Sequence, residues 1–304
     1  MTDRPMHHEV SLAPDLLEPV VARKTWRSLE PVHGMIYFAP ESAERYEAAG
    51  LQGRRMGYFA SRAAALGPVP AEAVIATFFN FNPALVRRAI PAAWNLATPA
   101  RVLEARLEAA DLALRRAFGD AVPSPELAEA AQLARVAAEA ACTRPEGRPL
   151  FAAHASLPWP DEPHLVLWHA QTLLREFRGD AHVAALLLEG LSGIESLVTH
   201  AASGDVPADT LRVSRAWPED DWAAAVDGLR SRGLVTAEDE LAFTDGGRAQ
   251  RQRIEDRTDA LSVSAYAPLG DEGCARLRSL GRTFSKAVLA AGLLTVDRDT
   301  WADQ

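Results

Sequence analysis

Residues 218–261 read PEDDWAAAVDGLRSRGLVTAEDELAFTDGGRAQRQRIEDRTDAL, and this stretch decides the fold. Pro218 opens an amphipathic helix that Gly233 stops, and LVTAEDELAF then reads as two short strands around the acidic turn AEDE. Another helix begins near Thr244. Just upstream, DVPADTLRVSRAW supplies a short helix after the turn at Gly204. Helix, helix, hairpin, helix is the order of a winged helix-turn-helix, in which the helix before the hairpin enters the DNA major groove.

Outward from that segment the chain is helical. The N-terminal part from Leu16 to Ala49 suits helices around a break at Pro31, and a capped helix fits between Gly50 and Gly67. Asn82-Pro83 starts a short helix that Pro91 closes, so the aromatic run FFNFNP (78–83) is held between two helices. Thr98-Pro99 and Ser124-Pro125 open two longer ones, the first with Leu103, Leu107 and Leu114 spaced as an amphipathic stripe. The stretch Pro145–Pro163, with PEGRPL and LPWPDEP, reads as a loop-rich crossing. Beyond it, HLVLWHAQTLLREF and DAHVAALLLEGLSGIESLVTHAAS read as two helices, with Gly179-Asp180 ending one and capping the other. That reading puts His182 and His200 on one long helix. Tyr266–Leu294 forms a further helix after the hairpin. The expectation is therefore a mainly α protein: a helical domain over 1–178, a winged-helix-like domain over 179–262, and a packing or dimerisation helix over 263–304.

Composition narrows the class. The 304 residues are 48% apolar and 24% charged, which suits a soluble globular chain and excludes wholesale disorder. Cys142 and Cys274 lie far apart and outside any CxxC spacing, so neither a disulfide scaffold nor a structural zinc site is indicated. The N-terminus, MTDRPMHHEV, lacks the apolar run of a secretory signal, and apolar stretches such as AALLLEGL fall short of a membrane helix, so the expected compartment is the cytoplasm with no membrane partner. Only Lys24 and Lys286 among the 32 basic residues are lysines, which fits a GC-rich coding bias.

Several phrases carry a resemblance. RSLEPVHGMIYFAPE from Arg27, GLQGRRMGYFASRAAALG from Gly50, LREFRGDAHVAALL from Leu174, LVTHAA from Leu197, and the segment through DRTDAL resemble the SalK-like winged-helix family of actinobacterial proteins over nearly the entire chain. The C-terminal part also resembles a MarR-type regulator domain. The resemblance implies a regulator-like fold and supplies no reaction; where other members have REHRGD, this chain has Phe177, which removes a polar or ligating side chain at that position.

Charge pulls against the regulator reading. The net charge is −9. The helix over 218–232 carries Glu219, Asp220, Asp221 and Asp227 against Arg230 and Arg232, and the hairpin tip carries Glu238, Asp239 and Glu240. Such elements repel phosphate rather than releasing its counterions. Arg248, Arg251, Arg253 and Arg257 are interleaved with Glu255, Asp256 and Asp259, as on a solvated or subunit-facing surface. On this reading duplex DNA is not the partner, and the winged helix is a packing scaffold.

Three constellations could hold chemistry. Glu30 and His33 share a helix face in EPVH, the Glu-x-x-His spacing of di-iron carboxylate helices, but no second copy occurs. Arg178 could hold an acidic ligand beside His182 and His200. Aromatics and amides, Tyr58, Phe59, Phe78, Asn80 and Phe81 with Arg62, are suitable pocket walls. The expectation is one shared polar patch: a ligand site of Glu30, His33, Tyr58, Phe59, Arg62, Phe78, Asn80, Phe81, Arg178, His182 and His200. His33 and His182 are its candidates for proton transfer, and Glu30, His33, His182 and His200 for a transition metal or haem. The leading functional expectation is a small-molecule-binding homodimer that does not bind DNA and acts in secondary metabolism. A ligand-responsive winged-helix transcriptional regulator and a metal- or haem-dependent enzyme are the alternatives.

Overall fold

The computed structural model describes residues 17–236 and 240–294. Its helices are α1 (Pro19–Gly34), α2 (Pro40–Ala48), α3 (Gly53–Ala63), α4 (Ala71–Phe78), α5 (Pro83–Ala89), α6 (Ala92–Leu96), α7 (Pro99–Phe118) and α8 (Pro125–Cys142). There follow α9 (Pro149–Ala155), α10 (Pro163–Leu188), α11 (Gly193–Ala202), α12 (Ala208–Ser214), α13 (Glu219–Ser231), α14 (Asp245–Tyr266) and α15 (Gly270–Ala290). Mainly α is thus the observed class. Many boundaries follow from local chemistry. The Asn82 side chain accepts from the Ala84 N–H, Thr98 from Arg101 and Ser124 from Leu127, each filling one of the orphan donors of a helix start.

Pro31 does not break α1. Leu29 and Val32 beside it are fully buried between α10, α14 and α15, and this packing outweighs the hydrogen bond that proline removes. Nor does Gly179-Asp180 divide α10, which runs unbroken for 26 residues because Phe177, Ala181 and Ala185 all face the core. Asp180 instead acts at a distance: its Oδ2 accepts the Phe151 N–H in the first turn of α9, 2.9 Å away. That helix, opened by Pro149, occupies part of the expected loop-rich crossing. The real break comes at Gly190, which adopts φ +70°, and Ser192 and Glu195 then form a reciprocal cap for α11. His182 and His200 therefore sit on different helices.

Three apolar cores result. The largest gathers α1, α7, α8, α10 and α15, the second gathers α2–α6 with the start of α7, and the third joins the end of α10 to α11, α12, α13 and Ile254 of α14. The third is the winged helix. Its hairpin is smaller than expected, reduced among the described residues to the Val235–Phe243 bridge, with Thr236 N–H donating to Ala242 O and Thr244 N–H to Leu234 O. Glu238 and Asp239 of the hairpin tip lie outside the described residues. The C-terminal helix packs within the chain: Leu277, Phe284 and, from SKAVLAAGLL, Val288 and Leu293 are buried in the first core, and Gly281 lies directly against Leu29. No single helix among the described residues is long and apolar enough to cross a membrane.

One contact between the winged helix and the helical body is especially tight. Phe79 ends α4 with φ +62°, and its carbonyl oxygen lies so close to Gly193 that a Cβ there would stand 2.0 Å from it. Backbone cannot yield as a flexible side chain would. Gly193→Ala is expected to push α11 away from the α4–α5 junction and cost about 1–3 kcal/mol or more. Urea unfolding of the variant checks this, and an unchanged midpoint would show that the contact is slack.

Candidate functional site

A cavity of about 600 Å³ opens between the helical body and the winged helix. Glu30, Pro31 and Gly34 of α1 form one wall, Tyr58 and Phe81 another, and Arg175 of α10 the floor. The remaining wall is α12 itself, through Asp209, Thr210, Val213 and Ser214, continued by Arg215. Its size suits a small organic molecule, for which about 300–1,000 Å³ is usual.

Along its floor runs a chain of charges, with Arg62 and Glu176 buried and Arg175 and Glu30 partly exposed. Arg62 of α3 donates from Nη2 to both oxygens of Glu176, at 3.1 and 3.2 Å. Arg175 donates from Nη1 to the same carboxylate at 3.2 Å and from Nε to Glu30 at 3.0 Å. Burial alone would raise the Glu176 carboxyl, but the two guanidiniums outweigh it and hold it at about 2. Burial does prevail at Glu30, which is raised despite Arg175. Aromatic rings enclose these charges: Arg62 sits 4.3 Å from the Phe78 ring centre and donates to the Tyr58 hydroxyl, while Tyr37 and Tyr58 lie 5.2 Å apart.

His33 is committed to structure. Thr172 gives its hydroxyl proton to the Trp168 carbonyl, so at 3.0 Å it accepts from His33 Nδ1–H, and His33 Nε2 in turn accepts from the Tyr37 hydroxyl at 2.8 Å. Both ring nitrogens are occupied. Burial, reinforced by Arg175, Arg106 and Arg62, lowers its pKa well below the usual value, so the ring is neutral. His33 is accordingly neither a proton carrier nor an open ligand.

The expected patch divides in two. Arg178 pairs with Asp259 at 2.8 Å and with Glu255 at 3.5 Å, and it lies over the Trp26 ring. His182 contacts Thr258 at 3.0 Å and is held near 4 by burial and neighbouring charges. His182 lies ten residues beyond Thr172 on α10, which at 1.5 Å per residue is about 15 Å from the part of the helix that His33 touches. These residues join α10 to α14, with His200 close enough to bias His182, and they do not reach the cavity. Glu30, His33, His182 and His200 therefore do not assemble around a metal, and no group of three or more His, Cys, Asp or Glu side chains suited to one occurs among the described residues.

Of the other predicted residues, Tyr58 and Phe81 line the cavity with Glu30. Phe59 and Phe78 belong to the second core. Asn80 serves the domain junction, its carbonyl accepting from Trp217 Nε1–H at 2.9 Å, and Asn82 N–H donates to the Arg215 carbonyl. Arg175, Val213 and Arg215 also line the cavity and were not among the expected residues. One signal was available for Arg175: an Arg-Glu pair within the otherwise apolar LVLWHAQTLLREF cannot lie on a free helix face.

The expected reading helix is α13. Glu219, Asp220, Asp221, Ala223, Ala224 and Asp227 are exposed on it. The charge is partly answered nearby, since Asp227 pairs with Arg230, Asp209 with Arg212, and Glu195 with Arg232. Arg251 pairs with Glu255, Arg248 pairs with Asp245, and Arg253 and Arg257 both pair with Glu189.

Residues 22–295 match a helix-turn-helix family, and the chain belongs to that family. No curated protein and no solved structure matches it significantly. Membership overturns the expectation that DNA is not a partner, because the helix-turn-helix carries DNA-binding capacity. The charge argument addressed only phosphate contacts, which position a protein, whereas base edges specify the sequence. Acidic side chains accept from the cytosine amino group and alanines touch thymine methyls, so an acidic α13 is compatible with reading.

The charge chain has a measurable signature. Glu176→Gln leaves Arg62 and Arg175 short of a counter-charge and is expected to destabilise by about 3–5 kcal/mol in urea unfolding. Because Glu176 is held below its unfolded value, its contribution is full above pH 4.5 and is lost as pH falls toward about 2. Asp180 behaves oppositely. Burial raises it to about 6 from 3.8, so its ionisation lowers stability as pH rises through that window. Asp180→Asn, which keeps an acceptor for Phe151, is expected to raise the pH 7 melting temperature and to have little effect at pH 4.

Proposed function

We propose that this helix-turn-helix protein is a ligand-responsive transcriptional regulator of the cytoplasm, with the helical body as sensor and α12–α13 as reader. The observation that carries the reading is that α12, the first helix of the helix-turn-helix pair, is a wall of the cavity. A molecule bound there touches the DNA-binding motif directly.

The junction supports transmission over a short distance. The turn from α12 to α13 contains Ala216 in the left-handed region, at φ +56°, a conformation that costs a non-glycine residue on the order of 1 kcal/mol. It is held by Trp217 on the Asn80 carbonyl and by the Arg215 carbonyl on Asn82 N–H. Displacing α12 therefore reorients α13. The acidic face of α13 makes phosphate contacts few, so specific binding is expected to have a shallow salt dependence.

Fluorescence anisotropy against duplexes tiled across the gene's own upstream region is the test. The expected result is competitor-resistant binding of one duplex at low salt, weakened by Trp217→Phe, which loses the tether to Asn80. Failure of every duplex to bind specifically at about 50 mM salt would overturn the reading.

A further inference from the structure

Among the described residues, one charge in the cavity wall has no counterpart. Arg62 and Arg175 share Glu176, Arg175 also holds Glu30, and Asp209 at the rim pairs with Arg212. Arg215 forms no ion pair among the described residues. Its Nη1 donates to the Ser214 hydroxyl at 2.9 Å, its guanidinium lies 5.0 Å from the Phe81 ring centre, and its buried Nε has no hydrogen-bond partner. Burial lowers its pKa, and the nearby Arg62 and Arg175 lower it further. An enclosed guanidinium facing like charges is unfavourable unless an anion joins it.

Most of the remaining wall is apolar, with Glu30, Arg175, Asp209, Thr210 and Ser214 as its polar members. Tyr37, Phe38, Tyr58, Phe81, Val213 and Leu294 surround the space beside Arg215. We infer that the cavity takes an apolar carboxylic acid, its carboxylate paired with Arg215 and its hydrocarbon or aromatic body against these six side chains. A carboxylate matches the planar fork of arginine through parallel, charge-assisted hydrogen bonds, and Arg215 is a cavity-lining guanidinium able to supply them. A polyphosphate is disfavoured, since Glu30 and Asp209 also line the wall and most of its surface is apolar. Arg215 also follows α12 directly and holds Asn82 through its carbonyl, so an acid bound there pulls on the α12–α13 turn.

This consequence for DNA rests on the regulator reading, whereas binding of the acid is measured on the protein alone. The probes are 1-naphthoate and decanoate, each against its neutral alcohol, 1-naphthalenemethanol and decanol. Calorimetry on the full chain is expected to show the acids binding at least about tenfold more tightly than the alcohols. Arg215→Met should remove that preference and leave alcohol binding within about twofold, while Arg215→Lys restores part of it. The empty Arg215→Met protein should melt no lower than the parent, because the charge it loses is unpaired. Val213→Trp, which fills the space from α12, should abolish binding of both classes.

Equal binding of acids and alcohols, or an acid preference that survives Arg215→Met, would overturn the ligand class. So would a marked fall in the melting temperature of Arg215→Met, which would give Arg215 a purely structural role. No binding of any probe overturns it too and leaves the DNA titration to judge the regulator reading separately. Acid binding that is lost in Arg215→Met, without any change in DNA affinity, upholds the ligand class and counts against the regulatory coupling.

Discussion

Glu176 bridging two arginines is the constraint on which the rest of the structure depends. A carboxylate with only 3% of its side chain exposed is tolerable in a helical core only if counter-charges are delivered to it, and they come from α3 and from the neighbouring residue of α10. Arg175 extends the chain to Glu30 on α1. Three helices distant in sequence are thereby fixed in register at one polar point. The apolar cores could tolerate small slips among themselves, but the hydrogen-bond geometry here could not.

Much of the fold was legible in the sequence because its signals are local. Thr98-Pro99, Ser124-Pro125 and Asn82-Pro83 mark helix starts through contacts made within three residues. Glycine was the less dependable sign. Gly179 and Gly190 look alike as helix breakers, yet Gly179 lies between buried Phe177 and Ala181 and the helix passes through it, whereas Gly190 takes a left-handed turn. Only tertiary packing separates them. Pro31 was misread for the same reason, its neighbours being held on three sides.

The site was less legible, and the reason is physical. Tyr58, Phe81 and Glu30 could be nominated because aromatic residues and acids attract attention in any helix. Arg215 could not: in SRAW it looks like a surface charge, and that no carboxylate pairs with it among the described residues is a fact of tertiary structure. The histidines misled in the opposite way. Each is conspicuous in sequence, yet His33 uses both nitrogens on Thr172 and Tyr37, and His182 leans on Thr258 of α14. Similarly, counting acids on α13 measured attraction to a uniform polyanion but not complementarity to base edges.

That α12 belongs at once to the cavity and to the helix-turn-helix has a thermodynamic corollary. Coupling between two binding events is reciprocal, so whatever factor a bound molecule applies to affinity for DNA, DNA must apply to affinity for that molecule. On the proposed function one helix is common to both sites, so the coupling needs no relay of intermediate side chains. Protein seated on its preferred duplex and protein free in solution would then be two receptors of different affinity for the same compound. The concentration at which a cell responds would depend on how many copies of the duplex it contains.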